Sequence, residues 1–292
     1  MAKARTIIKR RKAVQNIRKI TRTMQLIATA RFQAAFNAAA ASKAYTQSIT
    51  RLAQQLARDA AGVDHPLLRV NEETNHSVLI AITSNRGLCG GYNASILRAA
   101  LQHMDERTAA GDAVDIFAVG KKGIGYLKFL GYPLASELAV FEDRPQFTTV
   151  DPIAQTMIDA YERRVVDSVY VTYTRFESVA RQHVETMRLL PLDRPTVGEE
   201  ADEASPVAEY DYTPPPRELL GELLPEMVKI RLFQCFLDAA VSEQTACMVA
   251  MKAATDAGGD MIRGLTQQYN RARQSQITLE LLDIVGGAEA LK

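Results

Sequence analysis

The feature that most constrains this chain is a long first segment without any residue that breaks a helix. Residues 3–58 contain neither glycine nor proline and are rich in Ala, Gln, Lys, Arg and Leu, which favour helix. Apolar and small residues recur there at alternating steps of three and four, which is typical of a coiled-coil seam. The expected seam positions are Ala13, Ile17, Ile20, Met24, Ile27, Ala34, Ala38, Ala41, Tyr45 and Leu52. At 1.5 Å per residue, such a helix reaches roughly 80 Å, which is longer than one compact domain of this size would bury.

The last segment has the same character. Prolines 214, 215, 216 and 225 precede it, and no proline follows through Lys292. Its expected seam comprises Ile230, Phe233, Leu237, Ala240, Cys247, Met251, Ala254, Met261, Leu265, Ala272, Leu279 and Leu282, with Gln244, Gly258, Gln268 and Ser275 as interruptions. Two long seams of matching length predict an antiparallel coiled coil between an N-terminal helix, residues 1–60, and a C-terminal helix, residues 226–292.

The middle of the chain, residues 76–192, changes to short apolar runs that alternate with helical stretches. This pattern predicts an inserted, Rossmann-like α/β domain with a small, mostly parallel sheet. We expect strands at 78–83, 114–119, 168–176 and 184–190, and helices at 91–104, 121–130 and 153–166. Residues 193–225, rich in proline and acidic residues, are expected to form an exposed connection.

Composition narrows the class of protein. The three cysteines, Cys89, Cys235 and Cys247, are widely spaced, which favours a reducing, cytosolic compartment over a disulfide framework. No apolar run approaches the ~20 residues that cross a bilayer. Net charge is only +1, but residues 1–31 hold ten Lys and Arg and no acidic residue. An organellar transit peptide is an alternative explanation of that basic start, although the segment runs without a break into the helical pattern.

One turn stands where a nucleotide-binding α/β protein would hold phosphate. It reads Ser-Asn-Arg-Gly-Leu-Cys-Gly-Gly-Tyr-Asn over residues 84–93, but it has the glycine and lysine order of neither a P-loop nor a dinucleotide-binding motif. Nucleotide binding and a purely structural tight turn both stay open. The Gly-Lys-Lys-Gly-Ile-Gly run at 120–125 has the wrong spacing too, Cys89 is expected to be a small buried thiol, and the four histidines show no metal-ligand spacing. The residues therefore predict no metal site, and they favour a structural turn over a bound cofactor.

The basic first helix has four possible explanations. It is a solvated helix face, a nucleic-acid arm, a membrane-surface helix or a surface for an acidic protein partner. Antiparallel pairing brings Arg263, Arg271 and Arg273 to the same end, where few aromatic residues are available to stack on bases. An acidic protein partner is therefore favoured, and a coiled-coil nucleic-acid-binding protein is the alternative.

Four separate motifs resemble the gamma subunit of bacterial F-type ATP synthases. They are Lys-Ile-Thr at 19–21 with Met24, the turn at 84–93, the run Met-Val-Ala-Met-Lys-Ala-Ala-Thr-Asp at 248–256, and the terminal Ile-Thr-x-Glu-x-x-Asp at 277–283, which is followed by Gly287 and Ala288. Their order and spacing agree, and together they span the whole chain.

The resemblance implies a central-stalk rotor subunit that couples proton flow to ATP synthesis and reverse hydrolysis and regulates ATPase activity. It implies contacts with a hexamer of alpha and beta subunits, the epsilon subunit and a membrane ring of c subunits, at the cytoplasmic face of the bacterial inner membrane. Catalytic sites would lie on the beta subunits, and nucleic acid would not be a partner. Beta-subunit contacts are implied for Met24, Lys19, Arg22, Arg273, Gln274 and Thr278. Rotor-ring and epsilon contacts are implied for Tyr210 and Tyr212, with Thr213 where a glutamate is often found.

Overall fold

The computed structural model describes residues 2–59, 65–71, 74–139, 144–192 and 215–289. In chain order the elements are α1 (Ala2–Asp59), a short 3₁₀ turn (Pro66–Leu68), β1 (His76–Ile82), α2 (Tyr92–Ala109), β2 (Ala113–Val119), α3 (Lys121–Phe129), β3 (Ser136–Leu138), α4 (Phe147–Glu162), β4 (Ser168–Phe176), β5 (Gln182–Leu190) and α5 (Pro216–Glu289). The predicted class, two long terminal helices with an inserted α/β fold, is confirmed.

The chain divides into two compact units. The first, here the helical unit, comprises residues 1–30 and 247–292, and the second, here the α/β unit, comprises residues 31–246. Helices α1 and α5 each contribute residues to both units. Within the described residues, no helix is both long and apolar enough to cross a membrane.

The α/β unit is built on a five-stranded sheet in the order β3-β2-β1-β4-β5. β1 runs parallel to both neighbours, β2 also pairs in parallel with β3, and only β5 is antiparallel, to β4. In β1, six of seven residues are buried, as expected for a central strand covered on both faces. Val78, Ile80 and Ile82 face a core shared with α4 and the first half of α5, whereas Leu79 and Ala81 face α2 and α3.

The largest differences from the prediction are two helix starts and one short strand. Helix α4 begins at Phe147, before the predicted 153, because Pro152 in its second turn costs one backbone hydrogen bond and does not end the helix. Helix α5 begins at Pro216, before the predicted 226, because proline suits the first helical position and Pro225 is accommodated inside the helix. The three-residue strand β3 was not predicted, since so short a run carries no periodic signal.

The predicted seam of α1 is wrong by one residue. Within the helical unit the buried α1 positions are Val14, Thr21 and Ala28, and within the α/β unit they are Ala35, Ala39 and Leu56. The predicted residues Ile17, Ile20, Ile27, Tyr45 and Leu52 are 41–60% exposed. From Val14 to Ala39 the buried positions recur at steps of seven or four, and alanine and threonine occupy most of them.

The predicted seam of α5 is half right. Ile230, Leu237, Met251 and Leu265 are buried as expected, and Gln244, which was predicted to interrupt the seam, is buried within it. The seam positions between these residues lie one residue further along α5 than predicted. Val241 and Thr255 are therefore buried, whereas the predicted seam residue Met261 is 47% exposed. Gln268 and Ser275 are exposed and are not polar interruptions of the seam, since neither lies in it.

Candidate partner interface

Two threonines pack against each other in the middle of the helical unit. Thr255 Oγ1 donates to Thr21 Oγ1 at 2.8 Å, and both residues are at least nine-tenths buried. Each hydroxyl also lies within hydrogen-bond distance of its own helix backbone, at the carbonyls of Met251 and Arg18. This pair fixes an antiparallel register in which α1 position 21 faces α5 position 255.

A glycine pair one turn along α5 forms a notch for Arg18. A Cβ added to Gly258 would lie 3.4 Å from Arg18 Cβ, and one added to Gly259 would lie 3.7 Å from Arg18 Cζ. The arginine side chain therefore lies across the surface that the two missing side chains leave open. Each glycine weakens the helix by about 1 kcal/mol, and the distances show that the Arg18 side chain packs directly against both.

Small residues occupy most of the α1 seam, and although Met251 and Leu265 of α5 are buried, many other large apolar residues of the helical unit point outward. On α1 these exposed residues are Ile8, Ile17, Ile20, Leu26 and Ile27, and on α5 they include Val249 and Met261. Scattered exposed apolar residues are ordinary, but a contiguous apolar stripe along a helix is typical of a surface that a partner covers.

The end of α5 is the most exposed apolar segment. Its register with α1 pairs position 258 with 18 and position 255 with 21, so α5 residues beyond about 274 extend past the first residue of α1. In this extension the exposed apolar residues are Ile277, Leu279, Leu281, Leu282, Ile284 and Val285. A single helix with apolar residues around its circumference is expected to be enclosed by other protein.

Charge distinguishes this unit from the rest of the molecule. The helical unit carries a net charge of +9, whereas the whole chain carries +1. The surplus comes from residues 1–30, which hold nine Lys and Arg and no acidic residue. A partner with an apolar and acidic surface would complement both properties of the unit.

The predicted contact residues all lie in this unit, in two groups. Lys19 and Arg22 are exposed and Met24 is partly buried, close to the level of the threonine pair. Arg273, Gln274 and Thr278 are exposed near the end of α5, where Thr278 Oγ1 donates to the Gln274 carbonyl at 3.0 Å. In the same register, Lys19 of α1 faces position 257 of α5. At 1.5 Å per residue, positions 257 and 273 of α5, and with them the two groups, are separated by about 24 Å along the helix axis. Tyr210, Tyr212 and Thr213 lie outside the described residues.

The turn at 84–93 is bonded to the start of α3. Asn85 Oδ1 accepts from the backbone N–H of Lys121 at 3.0 Å, the Ser84 carbonyl accepts from that of Lys122 at 3.1 Å, and Thr83 Oγ1 accepts from that of Gly123 at 2.9 Å. These are the amides that would bind a phosphate at this helix terminus. The two glycine-rich motifs are therefore parts of one structural junction, in which the turn at 84–93 caps the N-terminus of α3.

The remaining candidates for chemistry are structural. Cys89 is buried, and burial raises the pKa of its thiol, which disfavours the reactive thiolate. The described part of the chain holds no group of His, Cys, Asp and Glu side chains that could bind a metal.

Sequence reasoning missed the contacts that hold α1 and α5 within the α/β unit. Tyr92 is buried, its hydroxyl donates to the Ala239 carbonyl at 3.0 Å, and burial raises its pKa well above the ordinary value. Ser242 Oγ donates to the Thr174 carbonyl at 3.2 Å. The rings of Phe32, Phe36 and Phe176 form a cluster with centroids about 6 Å apart. Such contacts join residues far apart in sequence, so no local pattern indicates them.

Asp238 lies on the part of α5 that belongs to the α/β unit. Burial raises the pKa of its carboxyl to about 6, although the Gln234 amide, Lys43 and Arg175 oppose the shift. Gln234 Nε2 donates to the carboxylate at 2.9 Å. A carboxylate with this pKa loses its charge under mildly acidic conditions.

Comparison with known proteins is consistent over the whole chain. A family model described as ATP synthase matches residues 3–291. The ATP synthase gamma chain of Rhodopirellula baltica is 47% identical over 297 residues, and the alignment covers 100% of both chains. That of Leptospira biflexa is 38% identical over 291 residues, again with 100% of both chains covered.

Solved structures share the fold. A chain of the Euglena gracilis mitochondrial ATP synthase has a TM-score of 0.62 at 15% identity and covers 99% of this chain and 95% of its own length. A chain of the Tetrahymena thermophila mitochondrial ATP synthase central stalk and c-ring has a TM-score of 0.58 at 21% identity, covering 80% and 99%. Fold and matches together define a subunit of the ATP synthase class. Within that class, the chain belongs to the gamma-chain family.

Proposed function

We propose that this chain is the central-stalk rotor subunit of a proton-translocating F-type ATP synthase. Its helical unit stands within a hexamer of alpha and beta subunits, and rotation presents a different face of this unit to each beta subunit in turn. Each orientation favours one conformation of the catalytic site that it faces, so proton flow through the membrane sector drives ATP synthesis, and hydrolysis drives the reverse. The chain itself supplies no catalytic residue, and it regulates the ATPase activity of the hexamer.

The observation that carries this proposal is the surface of the helical unit. Many of its large apolar residues point outward while small residues occupy most of its α1 seam, and it carries nine positive charges in excess. The whole-length relationship to gamma chains supports a partner in the catalytic hexamer. The resemblance implies that this partner is the acidic lever segment of the beta subunit. A nucleic-acid function has less support, because the ring of Tyr269 at this end already carries the Arg11 guanidinium at 5.7 Å from its centroid.

We assign the beta-subunit contacts to Lys19, Arg22 and Met24 at one level and to Arg273, Gln274 and Thr278 at another. Tyr210 and Tyr212 would contact the epsilon subunit and the ring of c subunits. In functional terms the chain divides into residues 1–60 and 226–292 as the rotating helices, 76–192 as the α/β domain and 193–225 as the connection. The complex would place this subunit, as a peripheral protein, at the cytoplasmic face of the bacterial inner membrane.

Reconstitution tests the proposal. The full-length chain alone should hydrolyse no ATP, and it should restore ATPase activity to purified alpha and beta subunits of the same organism. Arg273→Ala and Thr278→Ala should each lower the restored activity and the ratio of protons pumped to ATP hydrolysed. Gln102→Ala is the control, because this exposed side chain of α2 bonds only along its own helix, to Glu106. Failure of the unmodified chain to restore any activity would refute the proposed function.

A further inference from the structure

A hydrogen-bonded pair one turn apart on α5 contains a buried oxygen atom without a donor. Gln234 Nε2 donates to Asp238 Oδ1 at 2.9 Å. The other polar atom of the same amide, Gln234 Oε1, is buried and accepts no hydrogen bond from the described residues. Buried amide oxygens are nearly always satisfied, because leaving one without a donor is costly. The neighbouring carboxyl is the candidate donor, since a carboxyl that carries a proton has an O–H to give.

Four elements of the α/β unit meet around the Asp238 carboxyl. The charged and titratable groups that face it or its immediate neighbours are Lys43 of α1, Tyr173 and Arg175 of β4, His183 and Glu185 of β5, and Arg231 and Cys235 of α5. Glu185 has partners of its own, because its Oε2 lies 3.4 Å from both the Tyr173 hydroxyl and Arg175 Nη1. Asp238, by contrast, accepts a hydrogen bond within the described part of the chain from the Gln234 amide alone.

The protonation state of Asp238 decides how many hydrogen bonds this pair forms. An ionised carboxylate only accepts, so it pairs with Gln234 Nε2 and leaves Oε1 without a donor. When Asp238 takes up a proton from solvent on Oδ2, the new O–H donates to Gln234 Oε1, while Nε2 continues to donate to Oδ1. The amide and the acid then form a cyclic pair with two hydrogen bonds, in which the buried Oε1 is satisfied.

Burial of Asp238 favours the protonated state. It raises the pKa of the carboxyl to about 6 from an ordinary value of 3.8, although Gln234, Lys43 and Arg175 oppose the shift. Between these two pH values the folded chain binds a proton that a locally opened chain releases. The closed arrangement is therefore favoured as pH falls, and it loses stability as pH rises from 3.8 to 6.

We propose that Gln234 and Asp238 form a proton-operated clasp, which closes α5 onto β4 and β5 when Asp238 is protonated and loosens this contact when the carboxylate is charged. Lys43 of α1 faces the same carboxyl, so the clasp involves both long helices where they belong to the α/β unit. Acidification thus tightens the hold of the α/β unit on both helices. This regulation goes beyond the proposed function and needs no other subunit.

Amide hydrogen exchange of the full-length chain tests the clasp. After correction for the intrinsic exchange rate, the opening equilibrium constant of residues 234–242 should rise about 10- to 50-fold from pH 4 to pH 7, as the two pKa values of Asp238 require. Asp238→Asn pairs with both polar atoms of Gln234 at every pH, so its opening should stay rare and independent of pH. Gln234→Met keeps the side-chain length but removes both hydrogen bonds, so at pH 4 its opening constant should be about fivefold higher than that of the unmodified chain.

Two control variants isolate the pair. Asp105→Asn removes an exposed carboxylate from α2 and should keep the full pH dependence. His183→Gln should keep it too, although histidines change charge in this pH range and His183 lies opposite Arg175.

Three outcomes would overturn the proposal. The first is an opening constant of the unmodified chain that does not change with pH, or one whose pH dependence persists in Asp238→Asn. The second is loss of the pH dependence in His183→Gln, which would make the histidine the sensor. The third is a Gln234→Met chain that opens no more often than the unmodified chain at pH 4, because the amide would then play no part. Each measurement uses this chain alone, so none of these outcomes bears on the proposed function.

Discussion

Two glycines of α3 offer a matched pair of substitutions that tests how the turn at 84–93 holds the sheet together. A Cβ added to Gly123 would lie 2.5 Å from Thr83 Oγ1 and 2.9 Å from Thr83 Cγ2, closer than such atoms approach. A Cβ added to Gly125, two residues along the same helix, meets nothing within 4 Å. Neither glycine has a positive φ, so alanine suits the backbone at both positions.

The difference in the free energy of unfolding between the two alanine variants follows from these contacts. Both gain about 0.5–1 kcal/mol from the higher helix propensity of alanine. In Gly123→Ala the new methyl group displaces Thr83, whose hydroxyl donates to the Val119 carbonyl at 2.6 Å and accepts from the Gly123 N–H at 2.9 Å. Overpacking costs about 1–3 kcal/mol and each buried hydrogen bond about 1 kcal/mol. Gly123→Ala should therefore be less stable than Gly125→Ala by about 3–5 kcal/mol.

Amide hydrogen exchange of the full-length chain measures this difference locally, because a chain of two compact units need not unfold in one transition. Protection of β1 and β2 should fall in Gly123→Ala and be kept or increased in Gly125→Ala. Combining Gly123→Ala with Thr83→Ala should cost less than the sum of the two single changes, since the clash requires both side chains. Equal protection in the two glycine variants, within about 1 kcal/mol, would refute the junction described for Thr83.

Three further substitutions probe α5. Thr255→Val leaves the buried Thr21 hydroxyl without its donor and should destabilise the helical unit by about 1 kcal/mol in denaturant unfolding. Adding Thr21→Val should recover most of this loss. A double variant as unstable as the sum of the two single variants would contradict the pairing. Asp238→Asn should stabilise the α/β unit by about 1–2 kcal/mol at pH 7.5. Because the pKa of Asp238 in the folded chain, about 6, exceeds its ordinary value of 3.8, the unmodified chain loses stability as pH rises from 3.8 to 6. The advantage of Asp238→Asn should therefore vanish near pH 4, and a pH-independent difference would argue against this explanation. Gln268→Leu should leave thermal stability unchanged, since the side chain is exposed, and a marked rise in the unfolding midpoint would mean that it lies in the seam.

The architecture was predictable because it depends on signals that act locally. Absence of glycine and proline over residues 3–58 predicts one long helix, and alternation of apolar runs with helical stretches predicts a parallel sheet. Nearly continuous burial of β1 is the physical counterpart of its apolar run. Helix ends were predicted less well, because Pro152 and Pro225 are accommodated inside helices that pack well elsewhere.

The frame of the α1 seam was not predictable from hydrophobicity, because two stripes of the helix compete for the seam. The stripe through Ile17, Ile20 and Ile27 is more apolar, but it is exposed, whereas the buried stripe passes through Thr21 and Ala28. An apolar residue indicates only that something covers it, and hydrophobicity does not distinguish the partner helix of the same chain from another subunit. The evenly spaced small residues of the second stripe are the signal that would have resolved the frame, because close helix packing needs them.

This choice of small residues also accounts for the surface on which the proposed function depends. Large side chains in the seam would hold the helices further apart and bury the apolar content of the helical unit inside it. With alanine and threonine at most buried α1 positions and Arg18 lying over Gly258 and Gly259, the helices approach closely and many large apolar residues lie on the outside. The pair within the chain is thereby held by modest contacts, and much of its apolar surface is left for a partner to bury. A helical pair of this kind is most stable when a partner encloses it, as expected for a rotor held inside a hexamer.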